Sequence, residues 1–241
     1  MDSRQALAAV GMLNASKKNR RRSVDGEDAH MGSKPPDSEH ETAERFFQRG
    51  LEKWKDGRLD EAQEAFERCL SIDPAHAPAY SARAGLYHWL DRDRDALDDI
   101  SHALTLRPDH PGDLHNRAVV LATLGREAEA IREYESVLRL QPSSAGTLNN
   151  LAWLLATADD PELRDCRRAI GYARQSVDAA RNAAWIDTLA TAHAECGEFD
   201  RAVEIETQAC DLAKPRNQAF ERRLDLYRRG IPYTRWVAEQ K

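Results

Sequence analysis

The apolar and small positions of this chain recur at a fixed interval. Leu70, Leu104 and Leu138 stand 34 residues apart, as do Ala62, Ala96 and Ala130. Gly50, Ala84, Ala118 and Ala152 keep that interval over four occurrences, and Pro74, Pro108 and Pro142 keep it as well. A repeat of this length means stacked supersecondary units rather than one closed core. Each unit reads as helix, tight turn, helix.

The spacing has a physical reason. Counting each unit so that its closing proline is position 32, the first three units are 43–76, 77–110 and 111–144. The eighth and twentieth positions carry only glycine or alanine: Gly50 and Ala62, Ala84 and Ala96, Ala118 and Ala130. Only small side chains let two helices approach to about 8–10 Å. Large residues beside that contact fill the remaining space: Phe46 with Phe66, Tyr80 with Ile100, Leu114 with Tyr134. Gly57 and Gly125 fall between the two helical patterns of their units. There a left-handed backbone carries no steric penalty. Proline closes the second helix because it cannot continue an intrahelical ladder.

These residues resemble the tetratricopeptide repeat, a 34-residue helical hairpin that stacks into a right-handed superhelix. The resemblance implies an all-α solenoid of about five hairpins over residues 41–214, with further units near 145–182 and 183–214. The fourth keeps Leu148, Leu151, Ala152 and Leu155 in register, but its second small residue, Ala169, comes five residues late. A longer turn is therefore expected within residues 158–168. The fifth carries Leu189, Ala190, Gly197, Phe199, Ala202 and Ala209. The strings NNLAWLLATADDPELRD and WIDTLATAHAECGEFDRAVE, with the ending FERRLDLYRRGIPY, are similar to the closing repeats of many bacterial members. In those proteins the tail is one capping helix. Here residues 215–241 are expected to supply it, with Phe220, Leu224 and Tyr227 inward and Arg222, Arg223, Arg228 and Arg229 toward water.

Charge separates the ends of the chain. The formal net charge is −6. Residues 1–40 hold seven basic and six acidic residues, so the rest carries −7. Residues 1–40 have little apolar surface to offset the entropy of ordering, and they read as a disordered, basic and polar leader. Its run Lys17, Lys18, Arg20, Arg21 and Arg22 is a solvated tail or, on the sharper reading, a targeting or nucleic-acid patch. An acidic repeat array argues against phosphate-backbone binding as the main role. No apolar run approaches the roughly 20 residues of a membrane helix. The basic residues follow the apolar stretch 6–13, the reverse of a secretory signal, which places the expected location in the cytoplasm. Cys69, Cys166, Cys196 and Cys210 lie far apart with no Cys-x-x-Cys pair and read as small packed thiols rather than as a disulfide or metal framework.

No motif for catalysis rises above background: there is no phosphate loop, nucleophile elbow or paired zinc histidines. His110, Asp113 and His115 read as polar surface rather than a metal site. No cofactor is expected. The resemblance instead implies a groove lined by the first helix of each hairpin. By that register the candidate groove residues are Trp89, His115, Asn116, Asn149, Asn150, Trp153 and Asp187. Phe47, Leu51, Trp54, Ser81, Gly85, His88, Val119 and Thr123 lie alongside. Asn116 and Asn150 hold the same position in successive units and resemble the asparagine ladder by which some members hold peptides. An amide both donates and accepts, as an extended peptide requires. The tryptophans offer flat anchors. Some chaperone-binding members grip a carboxylate with Lys and Arg. The matching frames here hold Phe47, Leu51, Ala82, Gly112 and Asn116, or Ser81, Gly85, Asn116, Gly146 and Asn150, none of them basic. The expected function is a non-enzymatic scaffold or adaptor for a protein or peptide segment. The alternatives are a self-associating assembly factor, or nucleic-acid association through the leader.

Overall fold

The computed structural model describes residues 42–240, and all their regular structure is helical. The leader expected over residues 1–40 lies outside the described residues. Twelve α-helices succeed one another among the described residues: α1 (Ala43–Lys55), α2 (Leu59–Ile72), α3 (Ala77–Trp89), α4 (Asp93–Leu106), α5 (Pro111–Thr123), α6 (Glu127–Leu140), α7 (Ala145–Thr157), α8 (Cys166–Ala179), α9 (Ala183–Glu195), α10 (Phe199–Leu212), α11 (Gln218–Arg228) and α12 (Tyr233–Ala238). Among the described residues, 42–108 and 109–240 form two compact units.

In the first unit, α1 pairs with α2 and α3 with α4, and α3 packs on α2. Gly50 is buried under the ring of Phe66. Phe66, Ala62 and Leu86 form a core with Phe47 and Trp54 against it. Gly57 turns the chain between α1 and α2 at φ 77°. At the corresponding turn between α3 and α4, Asp91 takes φ 62°, a conformation Asp tolerates better than most residues. The second hairpin is also tied by charge. Arg83 donates from Nε (2.7 Å) and a terminal nitrogen (2.8 Å) to the two oxygens of Asp99.

The second unit pairs α5 with α6, α7 with α8 and α9 with α10; α7 packs on α6, and α9 packs on both α7 and α8. Arg117 on α5 donates to Glu133 on α6, one repeat on from Arg83 and Asp99. The late register of Ala169 is taken up by residues 158–165, which include a short 3-10 turn at Pro161–Leu163. The loop is fastened at several points. Asp159 N–H donates to Glu127 (2.9 Å), Arg164 Nε to the Ala158 carbonyl (2.6 Å) and Asp165 N–H to the Leu155 carbonyl (2.8 Å). The Asp165 carboxylate then caps α8 by accepting from Arg168 N–H (3.0 Å). A long turn held this way leaves the helices on either side in stacking register.

Two expectations need correction here. Cys166 and Cys196 are joined as a disulfide from the start of α8 to the end of α9, and only Cys69 and Cys210 are thiols. The tail holds two helices, not one. After α11 the chain turns at Gly230 (φ 68°), Pro232 opens α12, and α12 turns back to touch α9 and α11.

Candidate protein-binding face

The first helix of each hairpin carries the candidate residues, and the two units present them differently. In the first unit they stay partly open. Leu51 is exposed, while Trp54, Ser81, His88 and Trp89 are half-buried. The Trp54 ring lies across α3, with Cη2 2.8 Å from where a Gly85 side chain would begin. It meets Phe66 edge-on at 6.5 Å between ring centroids. His88 Nδ1 lies 2.5 Å from Asp93 Oδ1 and ties the turn between α3 and α4. Apolar surface is thus left facing outward from α1 and α3.

In the second unit most of the candidates are spent inside the protein. His115 is 9% exposed. Its Nδ1 lies 2.8 Å from Thr147 Oγ1, and its ring is 5.5 Å from that of Tyr134. Burial pushes its pKa down to about 4, so it is neutral at pH 7. Asn150 is buried and donates to the Tyr134 hydroxyl at 3.4 Å. Asn149, also buried, donates to Asn150 Oδ1 at 3.4 Å. Asp187 is 2% exposed and is held by Arg223. The groove reading offers these four to a partner; in the structure they are interior groups. Asn116, Val119, Thr123, Trp153 and Thr157 remain half-buried.

Arg223 is the residue the sequence reading places wrongly. Expected in water, it is buried at 2% exposure. Its Nε donates to Asp187 Oδ1, and its guanidinium lies 5.5 Å from the ring of Phe220, 5.6 Å from Tyr233 and 5.9 Å from Trp153. Four helices, α7, α9, α11 and α12, meet at this side chain. Glu206 of α10, fully buried, lies beside the pair without a hydrogen bond of normal geometry among the described residues. Burial, then the neighbouring Asp187 carboxylate, raises its pKa well above its ordinary value. The signal is present in the sequence: Phe220, Arg223 and Tyr227 lie three and four apart, on one side of a helix.

No group of side chains suited to a metal ion is found among the described residues. No helix among them is long and apolar enough to cross a membrane.

Residues 43–76 and 114–144 match the family model described as tetratricopeptide repeat. No curated protein matches the chain. Several solved structures share the fold. A thermophilic tetratricopeptide-repeat protein of Thermus thermophilus is 18% identical, with a TM-score of 0.59 over 77% of this chain and 98% of that one. A tetratricopeptide repeat protein from Parabacteroides merdae is 18% identical, with a TM-score of 0.65 over 77% and 72%. The pilF protein of Pseudomonas aeruginosa is 19% identical, with a TM-score of 0.63 over 74% and 79%. At these identities the likeness is one of fold.

Proposed function

The chain carries tetratricopeptide repeats, and on that premise we propose that it is a non-enzymatic scaffold that binds a protein or peptide segment along the first helices of its hairpins. One observation supports this most. Leu51, Trp54 and Trp89 leave apolar and aromatic surface partly open on α1 and α3, Trp54 while its other face packs against the Phe66 core. Large, rigid side chains of this kind anchor protein interfaces. The repeat gives the scaffold, and the open aromatic positions give the contact. The asparagines contribute less than their register implies, since Asn149 and Asn150 are buried.

We also infer an oxidising location rather than the cytoplasm. Cys166 and Cys196 are half-buried and joined, and cytosolic reductants keep such pairs open.

The test is affinity capture with the full chain and with Leu51→Glu and Trp89→Ala. The expected result is a protein retained by the unaltered chain and lost by both variants, with helicity and melting unchanged. Equal capture by all three chains removes this reading.

A further inference from the structure

The last helix is poorly equipped to stand alone. α12 has six residues, too few for an isolated helix, and none of them is buried. Its N-cap residue, Pro232, makes no side-chain cap. Glu195, at the end of α9, supplies the cap from outside. Its Oε1 accepts from the Thr234 backbone N–H at 2.8 Å and its Oε2 from the Thr234 hydroxyl at 2.6 Å. A carboxylate also suits the positive end of a helix. One residue earlier, Tyr233 sets its ring 5.6 Å from that of Trp153, beside the Arg223 guanidinium.

Trp153 and Glu195 belong to α7 and α9, the first helices of successive hairpins, which pack on one another. Residues 231–240 therefore make the contacts that a bound segment would make. An aromatic ring meets a flat indole, and a backbone N–H and a hydroxyl meet one carboxylate. Ile231, Tyr233 and Trp236 are only partly buried against the core, the Trp236 ring lies 5.5 Å from the Arg222 guanidinium, and no residue of α12 is fully buried, so the segment opens at lower cost than the helices it covers.

We propose that Trp153, Arg223 and Glu195 form a seat for a short helical segment that opens with an aromatic–hydroxyl pair, and that residues 231–240 are its resident, displaceable occupant. A partner segment with tyrosine followed by threonine or serine at a helix start competes for that seat. Seat and occupant both lie in the second unit, so the proposal stands whether or not the first-unit face binds a partner.

The test uses the full chain. Tyr233→Ala with Thr234→Ala frees the seat while leaving Trp153, Glu195 and Arg223 in place. A synthetic peptide of residues 230–241 is then titrated to several millimolar, and the Trp153 indole and Glu195 amide are followed by NMR. Saturable shifts are expected in the freed chain, with an apparent affinity at least about tenfold weaker in the unaltered chain, whose own tail competes. Adding Glu195→Gln should abolish the shifts. A tethered segment experiences an effective concentration on the order of millimolar, so no shift in the freed chain over that range overturns the proposal. Hydrogen exchange gives an independent arm. Amides 231–240 should exchange at least about tenfold faster than those of α9–α11. Exchange in step with those helices would make the segment an integral cap and would also overturn it.

Discussion

Arg223 Nε donates to Asp187 Oδ1 at 2.5 Å, with both side chains at or below 3% exposure. Glu206, at 0% exposure, is the third member of the group. Two ionised carboxylates beside one guanidinium would leave a net negative charge in the interior, where unpaired charge is costly. Burial raises both carboxyls, but the guanidinium attracts and hydrogen-bonds Asp187, so Glu206 is the one that keeps its proton.

That assignment separates two variants. Asp187→Ala strands the guanidinium and should cost about 3–5 kcal/mol by urea unfolding. Glu206→Gln exchanges one neutral group for another of the same shape and should cost less than about 1 kcal/mol. The sign with pH follows. The folded pKa of Glu206 lies above its unfolded value, so the unfolded chain loses this proton first as pH rises. Its contribution to stability therefore declines above about pH 4.5, and Glu206→Gln should remove that decline. A loss in Glu206→Gln as large as that of Asp187→Ala would mean that Glu206 is ionised.

His115 works in the opposite direction. Its folded pKa of about 4 lies below its unfolded value of 6.5, because burial disfavours the imidazolium. Between those values the unfolded chain binds the proton and the folded chain does not. Stability is thus complete above pH 6.5 and falls as the solution is acidified toward pH 4, by up to about 3 kcal/mol. His115→Asn cannot titrate there. Its unfolding free energy should fall less steeply over that range, whatever its value at pH 7. Parallel pH profiles for the two chains would place the imidazole in contact with water.

Why is the fold so legible and the site so much less so? Steric exclusion at Gly50, Ala62, Ala84 and Ala96 acts locally and repeats, so one register carries the whole hairpin. The candidate face depends on what covers each first helix, and that is decided by distant segments. Asp187 is closed off by Arg223, 36 residues on, and Trp153 is partly covered by Tyr233. Asn150 turns to Tyr134 of the preceding helix. Nothing in the 34-residue register distinguishes an asparagine facing a neighbouring repeat from one facing a partner. The disulfide is illegible for the same reason, since Cys166 and Cys196 sit in different hairpins with no motif between them.

The close approach of Gly50 and Phe66 yields a prediction with a built-in control. A methyl group added at Gly50 would lie 2.6 Å from Phe66 Cδ1, and Phe66 is fully buried with little room to move. Gly50→Ala should therefore destabilise by about 1–3 kcal/mol through overpacking, despite the better helix propensity of alanine. Phe66→Leu alone should also destabilise, by cavity formation. The double variant should lose less than the sum of the two, because the smaller side chain makes space for the methyl group. Additive losses in a thermal or urea series would show that the two residues are not in the contact described.

The Cys166–Cys196 bond encloses the second helix of one hairpin and the first helix of the next, a sequence separation of 30. Closing a loop of that size restricts the unfolded chain and should contribute roughly 3–4 kcal/mol. Cys166→Ser with Cys196→Ser should lower the melting temperature accordingly. Treatment of the unaltered chain with a dithiol should bring it to the same value. The doubly substituted chain itself should not respond to the dithiol, because Cys69 is buried and Cys210 has no disulfide partner. Thiol titration provides the count. The unfolded, unreduced protein should show two reactive thiols and the reduced protein four. Four thiols without reductant, together with a melting temperature indifferent to dithiol, would show that α8 and α9 are held by packing alone.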